Sequence, residues 1–296
     1  MNDGKKKYIV KKIISKKIMT DKEISDKEGT FFDDDNIKIF KNDVDVYTES
    51  GELLLKFRKN VISTKDCAEL QVFDKAASSS RRPIESGIPK KDKSKYTKKV
   101  RSKKSGKIYE IFSSKKRIKS GIIGYYDSIS NFRSVSKEEN EGVRCRTTAF
   151  TKKHMDKFKN CLPIFKRIDR IYKKLVPTQY GIQKKAINKI NKKFVIDDTI
   201  FTTVTVNKNF RTALHRDSGD LKEGFGNLVV VSDTDDYEGG YTMFPQYGVG
   251  VDCRSGDFLA MNVHEWHCNS EKKGLGNRYS FVFYLREKML KTCPNN

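Results

Sequence analysis

The residues of this chain that are best suited to hold a metal ion lie in its C-terminal half. His215 and Asp217 are separated by one residue in the segment FTTVTVNKNFRTALHRDSGD, and His264 and His267 follow in DFLAMNVHEWHCN. The chain has only four histidines, and three of them fall in this one region. Such an uneven distribution points first to metal binding.

The spacing of these residues suits one particular kind of metal site. On an extended strand, residues i and i+2 point to the same face, so His215 and Asp217 can reach one ion from adjacent pleats. A histidine from a distant strand would complete a set of two imidazoles and one carboxylate, which leaves positions on iron(II) open for a co-substrate and oxygen. We favour His267 as this third ligand because it stands at the predicted end of a strand, and His264 is the alternative. A histidine beside an aspartate can also be a simple hydrogen-bonded pair, so other motifs must support the metal site.

A buried arginine is predicted shortly after the histidines. In GNRYSFVFYL, Arg278 and Ser280 share one face of an apolar strand whose other face is expected to bury Phe281 and Phe283. A guanidinium among apolar residues is costly unless it is paired, and its planar fork best matches a carboxylate. The distal carboxylate of 2-oxoglutarate would supply that partner. The alternatives are pairing with an internal acid such as Asp257, or a position on a solvent-exposed face.

Helices followed by short strands are expected to position these residues. Apolar residues recur at steps of three and four from Met155 to Leu175, which predicts a helix with a kink at Pro163. A second, more basic helix is expected from Gln179 to about Lys193, and short strands from there to Leu285. The earlier segment DVDVYTESGELLLKFRKNVIS predicts a strand, a turn and a strand. We therefore predict an α+β fold with a mainly β core, a sandwich of strands supported on one face by helices N-terminal to it.

The composition favours a polyanionic partner. The chain has 61 Lys and Arg against 38 Asp and Glu, a formal charge of +23, and the resulting field favours nucleic acid, with DNA preferred. The alternative is that AT-biased coding has placed many lysines on a solvated surface. Residues 1–27 are expected to form a flexible basic arm, residues 78–107 an exposed basic loop, and residues 291–296 a tail. Residues 28–290 form one predicted domain, whose β core with the metal site spans 198–287.

Membrane, secreted and zinc-ribbon proteins are disfavoured. No segment approaches the roughly 20 apolar residues of a membrane span, and MNDGKKKYIVKKIISKK lacks the apolar centre of a secretory signal. We expect an intracellular protein without a membrane partner, nuclear or nucleocytoplasmic if its source is eukaryotic or viral, and no protein partner is implied. The six cysteines lie far apart without a CxxC pair, so reduced, buried thiols are expected rather than a zinc site or a disulfide framework.

The motifs resemble, in order and approximate spacing, those of the TET/JBP dioxygenases, which oxidise methyl groups of nucleic-acid bases. The similar blocks are IYKKLVPTQYGIQ, FTTVTVNKNFRTALHRDSGD, YEGGYTMFPQYGVGVDCRSGDFLAMNVHEWHCN and GNRYSF. The earlier strand-turn-strand segment also resembles shorter members, so the similarity covers about residues 30 to 290. The resemblance implies a double-stranded β-helix, a relative of the jelly roll, which suits the strand pattern. The cysteine-rich zinc region of animal members is missing, as in compact relatives.

The resemblance also implies roles for individual residues. The residues that match the family's iron ligands are His215, Asp217 and His267. Arg278 matches the arginine that binds 2-oxoglutarate, with Ser280 beside it on the strand, and Asp220 matches a base-contacting position that holds asparagine in TET enzymes. The implied cofactors are iron(II), 2-oxoglutarate and O2, although some compact relatives use ascorbate instead. The implied reaction hydroxylates the methyl group of 5-methylcytosine or thymine in DNA.

A base inside a duplex cannot reach such a site, so it must be flipped out or presented on a single strand. The candidates for contact with the nucleic acid are Asn207, Arg216, Asp220 and His264. Tyr247 and the Gly239-Gly240 pair are expected to be structural instead. Two other functions stay open: an iron oxygenase that acts on a substrate other than nucleic acid, and a catalytically silent nucleic-acid-binding module on the same scaffold.

Overall fold

The computed structural model describes residues 10–77, 86, 94, 97–112, 118–127 and 144–295. Residues 1–9 of the predicted arm and most of residues 78–96 of the predicted loop lie outside these ranges. The strands are β1 (Lys11–Ser15), β2 (Lys38–Phe40), β3 (Val44–Thr48), β4 (Leu53–Arg58), β5 (Thr97–Arg101), β6 (Ile108–Phe112), β7 (Lys119–Tyr126), β8 (Arg146–Thr147), β9 (Thr203–Lys208), β10 (Gly226–Ser232), β11 (Tyr237–Glu238), β12 (Thr242–Phe244), β13 (Val249–Val251), β14 (Phe258–Met261), β15 (Cys268–Asn269), β16 (Lys273–Gly274) and β17 (Arg278–Tyr284). The helices are α1 (Asp21–Ser25), α2 (Thr64–Leu70), α3 (Ala149–Lys153), α4 (Met155–Asn160), α5 (Leu162–Leu175), α6 (Pro177–Ile187) and α7 (Met289–Thr292).

Two β-sheets form the centre of the molecule. The larger sheet has nine strands in the order β1-β3-β4-β14-β10-β17-β9-β7-β8, and the smaller has four in the order β15-β12-β13-β2. One buried apolar cluster joins the two sheets, with Val230 and Leu259 from the larger and Phe244 and Val251 from the smaller. A second cluster joins the larger sheet to the helices. The predicted α+β class with a mainly β core and supporting helices is confirmed.

Strand β17 separates the helical core from the interior of the β-sandwich. Phe281 and Phe283 are fully buried on its helix side, where the Phe283 ring lies 5.3 Å from the ring of Phe165 on α5. Arg278 and Ser280, with the opposite parity, line a cavity on the other side. The alternation of a single strand therefore supplies both a packed apolar layer and a polar cavity wall.

A buried polar network connects the helix pair α5 and α6 to the strands that flank the metal-binding segment. The Asp169 carboxylate accepts the backbone N–H of Ile200 at 2.9 Å, and the Gln183 amide donates to the Ile200 carbonyl at 3.0 Å. The Tyr172 hydroxyl accepts the backbone N–H of Phe225 at 3.3 Å. These bonds fix the chain just before β9 and just before β10, so the helices hold the start of β9 and the C-terminal end of the segment between the two strands.

The N-terminal segment is ordered from Lys11 onward, so the prediction of a flexible arm through residue 27 is wrong there. Strand β1 pairs in parallel with β3, and partly buried Ile13 packs on the core between the sheets. Helix α1 begins with a capping box between Thr20 and Glu23, and Ile24 is fully buried. The lysines of this segment stay at the surface while a few apolar residues pack against the core. Because lysines dominate the composition, the sequence did not reveal these apolar contacts.

Four other sequence-based predictions also need correction. Residues 97–112, partly inside the predicted loop, form the hairpin β5–β6. The predicted tail continues helix α7 to Thr292, and Cys293 is fully buried. The β core is not confined to residues 198–287, because β1 to β4 and β7 belong to the same two sheets. The helix predicted from Met155 to Leu175 is interrupted at Cys161, with Pro163 in the first turn of α5.

The cysteines differ in part from expectation. Cys145 and Cys293 form a disulfide, so the prediction of reduced thiols is wrong for this pair. Spacing alone could not reveal a contact between residues 148 positions apart. The residues that are free and buried, as expected, are Cys67, Cys161, Cys253 and Cys268. Within the described ranges, no helix has the length and apolar character needed to cross a membrane.

Replacement of Phe283 by alanine should test the packing between β17 and the helices. We expect Phe283→Ala to lower the free energy of unfolding by about 3–5 kcal/mol, because it removes a fully buried ring and leaves a cavity. Chemical denaturation followed by circular dichroism measures this change. Leu275→Ala, at a side chain that is 73% exposed, is the control and should stay within about 0.5 kcal/mol of the parent. Equal effects of the two substitutions would contradict the proposed packing.

Candidate metal centre

A single antiparallel bridge between two backbone segments brings the predicted metal ligands together. The backbone N–H groups of His215 and His267 each donate to the other residue's carbonyl at 3.0 Å. The two imidazole rings consequently lie with their centroids 4.3 Å apart. Asp217 lies beside both rings, with its carboxylate oxygens 3.4 Å from Nε2 of His215 and 3.9 Å from Nε2 of His267.

These three side chains have the geometry of a metal site. One ligand atom from each of His215, Asp217 and His267 lies within 4.8 Å of the other two, and no other such trio of histidine, cysteine or acidic residues occurs among the described residues. Two imidazoles and one carboxylate form the donor set that suits a non-haem iron(II) ion with open positions. We call these three residues the facial trio.

Backbone carbonyls orient both imidazoles toward the centre of the facial trio. Nδ1 of His215 lies 2.8 Å from the carbonyl oxygen of Ala213, and Nδ1 of His267 lies 2.9 Å from that of Glu265. A carbonyl can only accept, so each Nδ1 carries a proton and each Nε2 keeps its lone pair for a metal. Burial, together with the neighbouring His215, lowers the pKa of His267 to about 4, so this ring is neutral at physiological pH.

His264, the alternative third ligand, lies outside the facial trio. Its Nε2 donates to the carbonyl oxygen of Leu221 at 3.0 Å, although the ring still lines the same cavity. That hydrogen bond joins the segment before β15 to the segment after Asp220. His264 therefore has a structural partner that His267 lacks at its Nε2 atom.

Arg278 is buried in the cavity wall. The side chain is only 6% exposed, and its Nε and Nη2 atoms have no hydrogen-bond partner among the described residues. Asp257, the internal acid considered as an alternative, instead accepts Lys59 at 2.7 Å and the backbone N–H of Asn60 at 2.9 Å. Gly240, in the left-handed region at φ +69°, leaves room for the guanidinium, because a Cβ there would lie 3.1 Å from Cδ of Arg278. A buried cation in this state requires an anionic ligand.

One cavity of about 830 Å³ connects the facial trio with Arg278. This volume falls within the range of small-molecule sites. The sequence-predicted residues that line it are Asn207, His215, Arg216, Asp217, Asp220, His264, His267, Arg278 and Ser280. Tyr247 lies elsewhere and donates to Glu265 at 3.2 Å, in keeping with a structural role.

Asn207 belongs to the Arg278 side of the cavity. Its amide nitrogen donates to Oγ of Ser280 at 3.4 Å, and its amide oxygen accepts from Oγ of Ser120 on β7 at 2.6 Å. Both serines also line the cavity. These contacts fix the amide against neighbouring strands beside the buried guanidinium.

Two residues at the far end of β17 also line the cavity and were missed by sequence reasoning. Tyr284 and Arg286 continue the every-second-residue series that begins at Arg278 and Ser280, and that series is the signal that could have found them. Arg286 donates through Nε to Asp127 at 2.7 Å, and its guanidinium carbon lies 4.4 Å from the centre of the Tyr126 ring. Asp127 and Tyr126 therefore fix the position of the Arg286 guanidinium.

Asp220 lies beside Arg286 in the lining of the cavity. The two residues form a backbone bridge, and Oδ2 of Asp220 is buried without a hydrogen-bond partner among the described residues. Burial raises the pKa of Asp220 well above its usual value and the Asp217 carboxylate raises it further, while the Arg286 guanidinium lowers it. An acid and a guanidinium thus present polar atoms to the same space.

Arg216 marks the solvent side of the cavity. It stands between two members of the facial trio but is exposed, and its guanidinium lies 4.4 Å from the centre of the Trp266 ring. Trp266 was also missed by sequence reasoning, although it directly precedes His267. The cation–π contact with the indole therefore keeps the Arg216 guanidinium at the rim of the cavity.

Residues 122–287 match the family model Tet_JBP, described as the oxygenase domain of the 2OGFeDO superfamily. The chain belongs to the Tet/JBP oxygenase family. Iron(II) and 2-oxoglutarate are the cofactors of this superfamily, and the residues present fit both. The facial trio offers two nitrogen donors and one oxygen donor, and the unpartnered fork of Arg278 fits a carboxylate.

Two proteins named as thymine dioxygenases are similar to this chain over more than half of its length. It is 32% identical over 173 residues to the bifunctional helicase and thymine dioxygenase JBP2 of Leishmania braziliensis, covering 57% of this chain and 15% of that protein. It is 33% identical over 172 residues to thymine dioxygenase JBP1 of Trypanosoma brucei brucei, covering 56% and 19% respectively. The chain therefore spans less than a fifth of the length of these relatives.

The fold also matches a solved structure. The structure of NgTET1 in complex with 5mC DNA superposes with a TM-score of 0.55 at 13% sequence identity, covering 86% of this chain and 81% of that one. This likeness confirms the double-stranded β-helix expected from the sequence.

Removal of the trio carboxylate should abolish tight metal binding. We expect Asp217→Ala to weaken binding of Mn(II), a redox-stable substitute for iron(II), by more than about 100-fold. Loss of a hydrogen-bond partner of a metal ligand costs about 10–100-fold in affinity, and loss of the ligand itself should cost more. Isothermal titration calorimetry measures the affinity. Asp35→Ala removes an exposed acid far from the trio in sequence and should leave it unchanged. An unaltered Mn(II) affinity for a folded Asp217→Ala protein would rule out this site.

Proposed function

We propose that this protein is an iron(II)- and 2-oxoglutarate-dependent dioxygenase that hydroxylates the methyl group of a DNA base. The observation that carries the proposal is one cavity in which the facial trio and the unpaired fork of Arg278 face the same space. A metal ligand set without an anion site, or a buried arginine without a ligand set, would suit many other functions. Together they match the two cofactors of the family.

Thymine is the base that we place first, with 5-methylcytosine as the alternative. The relatives that are 32% and 33% identical over more than half of this chain are named thymine dioxygenases, whereas the likeness to the complex with 5mC DNA is one of fold. Both bases carry the same C5-methyl group. The formal charge of +23 supports a DNA partner.

The protein's own groups would hold the reactants rather than supply the oxidation. Bound iron(II) and 2-oxoglutarate supply the chemistry by which one atom of O2 enters a C–H bond and the other enters succinate, with release of CO2. The facial trio would hold the metal at the wall of the cavity, within reach of reactants bound there. Arg278 would hold the distal carboxylate of 2-oxoglutarate through two parallel N–H groups, and Ser280 and Asn207 would complete that wall.

The other end of the cavity would hold the flipped base. Tyr284 supplies an aromatic ring, while Asp220 and Arg286 supply an acceptor and donors for the polar edge of a pyrimidine. Asp220 can accept from N3–H of thymine or from the exocyclic amine of cytosine, and Arg286 can donate to a carbonyl oxygen. The hydrogen bond from Arg286 to Asp127 would keep the guanidinium at a fixed distance from the base.

The rim of the cavity would hold the sugar-phosphate backbone. Arg216 lies flat on Trp266 and is exposed, so its fork can meet a phosphate of the flipped nucleotide. We assign His264 to the support of the Leu221 backbone rather than to the substrate, because its Nε2 is already used there.

We assign the co-substrate position to 2-oxoglutarate rather than ascorbate. A second carboxylate, remote from the metal, matches the two unpartnered nitrogen atoms of Arg278. Because DNA is the proposed substrate, we also propose that the protein acts inside the cell, and in the nucleus if its source is eukaryotic.

Oxidised nucleosides are the direct readout of the proposed reaction. After incubation with iron(II), 2-oxoglutarate and DNA, mass spectrometry should detect 5-hydroxymethyluracil from thymine or 5-hydroxymethylcytosine from 5-methylcytosine. His215→Ala should abolish this product while DNA binding falls less than about threefold, because phosphate contacts carry most of the affinity. Succinate without an oxidised base would indicate another substrate. DNA binding without succinate would indicate a silent binding module.

The role of Arg278 predicts a selective defect. Arg278→Ala should raise the KM for 2-oxoglutarate by about 100-fold, equivalent to roughly 3 kcal/mol for the missing charge-assisted pair, and leave Mn(II) affinity unchanged. Initial rates measured against 2-oxoglutarate concentration test this, and ascorbate alone should support no turnover. Arg170→Ala, at an exposed arginine of α5, is the matched control. An unchanged KM for Arg278→Ala would exclude it as the anchor.

A further inference from the structure

The hairpin of residues 97–112, which we call the basic ribbon, is separate from both sheets of the core. Strands β5 and β6 pair through five consecutive positions from Thr97↔Phe112 to Arg101↔Ile108, and they pair with no other described strand. Backbone bonds from Ser102 to Lys107 at 2.8 Å and from Gly106 to Ser102 at 3.0 Å close its tip. An isolated two-stranded hairpin is only marginally stable in water, so a binding partner would stabilise this one.

The composition of the basic ribbon defines what that partner must be. It carries one acid, Glu110, and six cationic residues, nearly all of them exposed: Lys98, Lys99, Arg101, Lys103, Lys104 and Lys107. It also exposes apolar surface, with Val100 39%, Ile108 60% and Tyr109 42% exposed. A surface that is both cationic and apolar fits a polyanion that also offers stacked, uncharged surface. Duplex DNA has both features in its grooves.

The pairing register places positive charge on both faces of the basic ribbon. Lys98 shares one face with the opposed pair Val100 and Tyr109, while Lys99 and Arg101 lie on the other face. A ribbon that enters a groove edge-on has a phosphate strand beside each of its faces, so positive charge on both faces is matched. The major groove of B-DNA is about 12 Å wide and admits a two-stranded ribbon.

The basic ribbon lies within reach of a duplex whose target base occupies the cavity. Only eight chain steps separate Phe112 from Ser120, which lines the cavity. At no more than about 3.6 Å per residue, this spacing corresponds to at most roughly 29 Å. One turn of B-DNA advances about 34 Å. The ribbon and the cavity can therefore contact the same helical turn of DNA.

We propose that the basic ribbon docks in the major groove of duplex DNA beside the base held in the cavity. This proposal rests on the proposed function, since it takes the DNA that enters the cavity as the partner. The ribbon would increase the affinity for duplex DNA and position the duplex, while the reaction would take place in the cavity. A membrane surface or an acidic protein would not supply paired rows of phosphates on both sides of a ribbon.

Charge removal on the ribbon, matched by equal charge removal elsewhere, tests the surface. The ribbon variant changes Lys98, Lys99, Lys103 and Lys104 to glutamine. The control variant changes four exposed lysines of the helical layer, Lys174, Lys185, Lys189 and Lys192, to glutamine. Duplex affinity is measured against salt concentration. For the ribbon variant, the slope of log affinity against log salt should fall by about 0.9 for each phosphate that is no longer neutralised, and for the control by much less. Equal slopes for the two variants would overturn the proposal.

Steady-state kinetics on duplex and single-stranded substrates distinguish the role of the ribbon from that of the cavity. The ribbon variant should show a KM for duplex substrate raised by about tenfold or more. Its kcat should be unchanged on a short single-stranded oligonucleotide that fills the cavity but cannot reach the ribbon. A parent protein that oxidises no DNA would refute the proposed function, while the salt slopes would still report on the ribbon. Normal oxidation with an unchanged KM for the ribbon variant would refute the ribbon alone.

Base methylation identifies the groove. Guanine N7 lies in the major groove, so N7-methylguanine within one turn of the target base should weaken binding of the parent protein. The ribbon variant should lose this sensitivity, and the control variant should keep it. Interference that is absent, or that is the same in the parent and the ribbon variant, would contradict major-groove docking.

Discussion

The two backbone hydrogen bonds between His215 and His267 are the constraint on which the site depends. Neither histidine lies in a long strand, since β15 begins only at Cys268 and ends at Asn269. Side-chain packing alone would leave two such short segments free to shift against each other. Reciprocal N–H to carbonyl bonds at 3.0 Å instead fix their spacing, and a third bond, from the Asp217 N–H to the Val263 carbonyl at 2.9 Å, fixes the carboxylate. The donor set is therefore preorganised by the main chain.

The helical layer extends this rigidity to the end of the cavity that Asp220 lines. The segment between Asp217 and β10 carries Asp220 and would otherwise be a mobile loop. From one side Tyr172 holds the Phe225 backbone, and from the other His264 holds the Leu221 carbonyl. The motif IYKKLVPTQYGIQ thus has a physical role. Its Tyr172 and Gln183 are parts of the buried network that positions this segment, at a distance from the chemistry.

The sequence was most informative where function requires rare residue types at fixed spacing. An H-x-D pair, a distant histidine and an arginine on an apolar strand identified every member of the facial trio and the buried cation. Tyr284 lies within the same apolar segment, where an aromatic residue is expected to pack in the core, and Arg286 lies just past its end, so parity alone did not single them out. The packing of β1 and α1 was missed for a different reason. A few apolar anchors such as Ile24 order a lysine-rich segment only through contacts with residues far away in the chain. No local pattern contains the Cys145–Cys293 contact or the isolation of the β5–β6 hairpin.

Strand β1 occupies one outer margin of the nine-stranded sheet, where unpaired N–H and carbonyl groups invite another chain to add on. Its sequence, KKIIS, places lysines along that margin and continues into Lys16 and Lys17. Their mutual repulsion opposes self-association of two molecules through this border. Strand β3 (VDVYT), which pairs with β1 in the same sheet, is largely buried and contains no lysine. The lysine-rich segment around β1 therefore also protects this edge of the sheet, because its charge disfavours the addition of a strand from a second molecule.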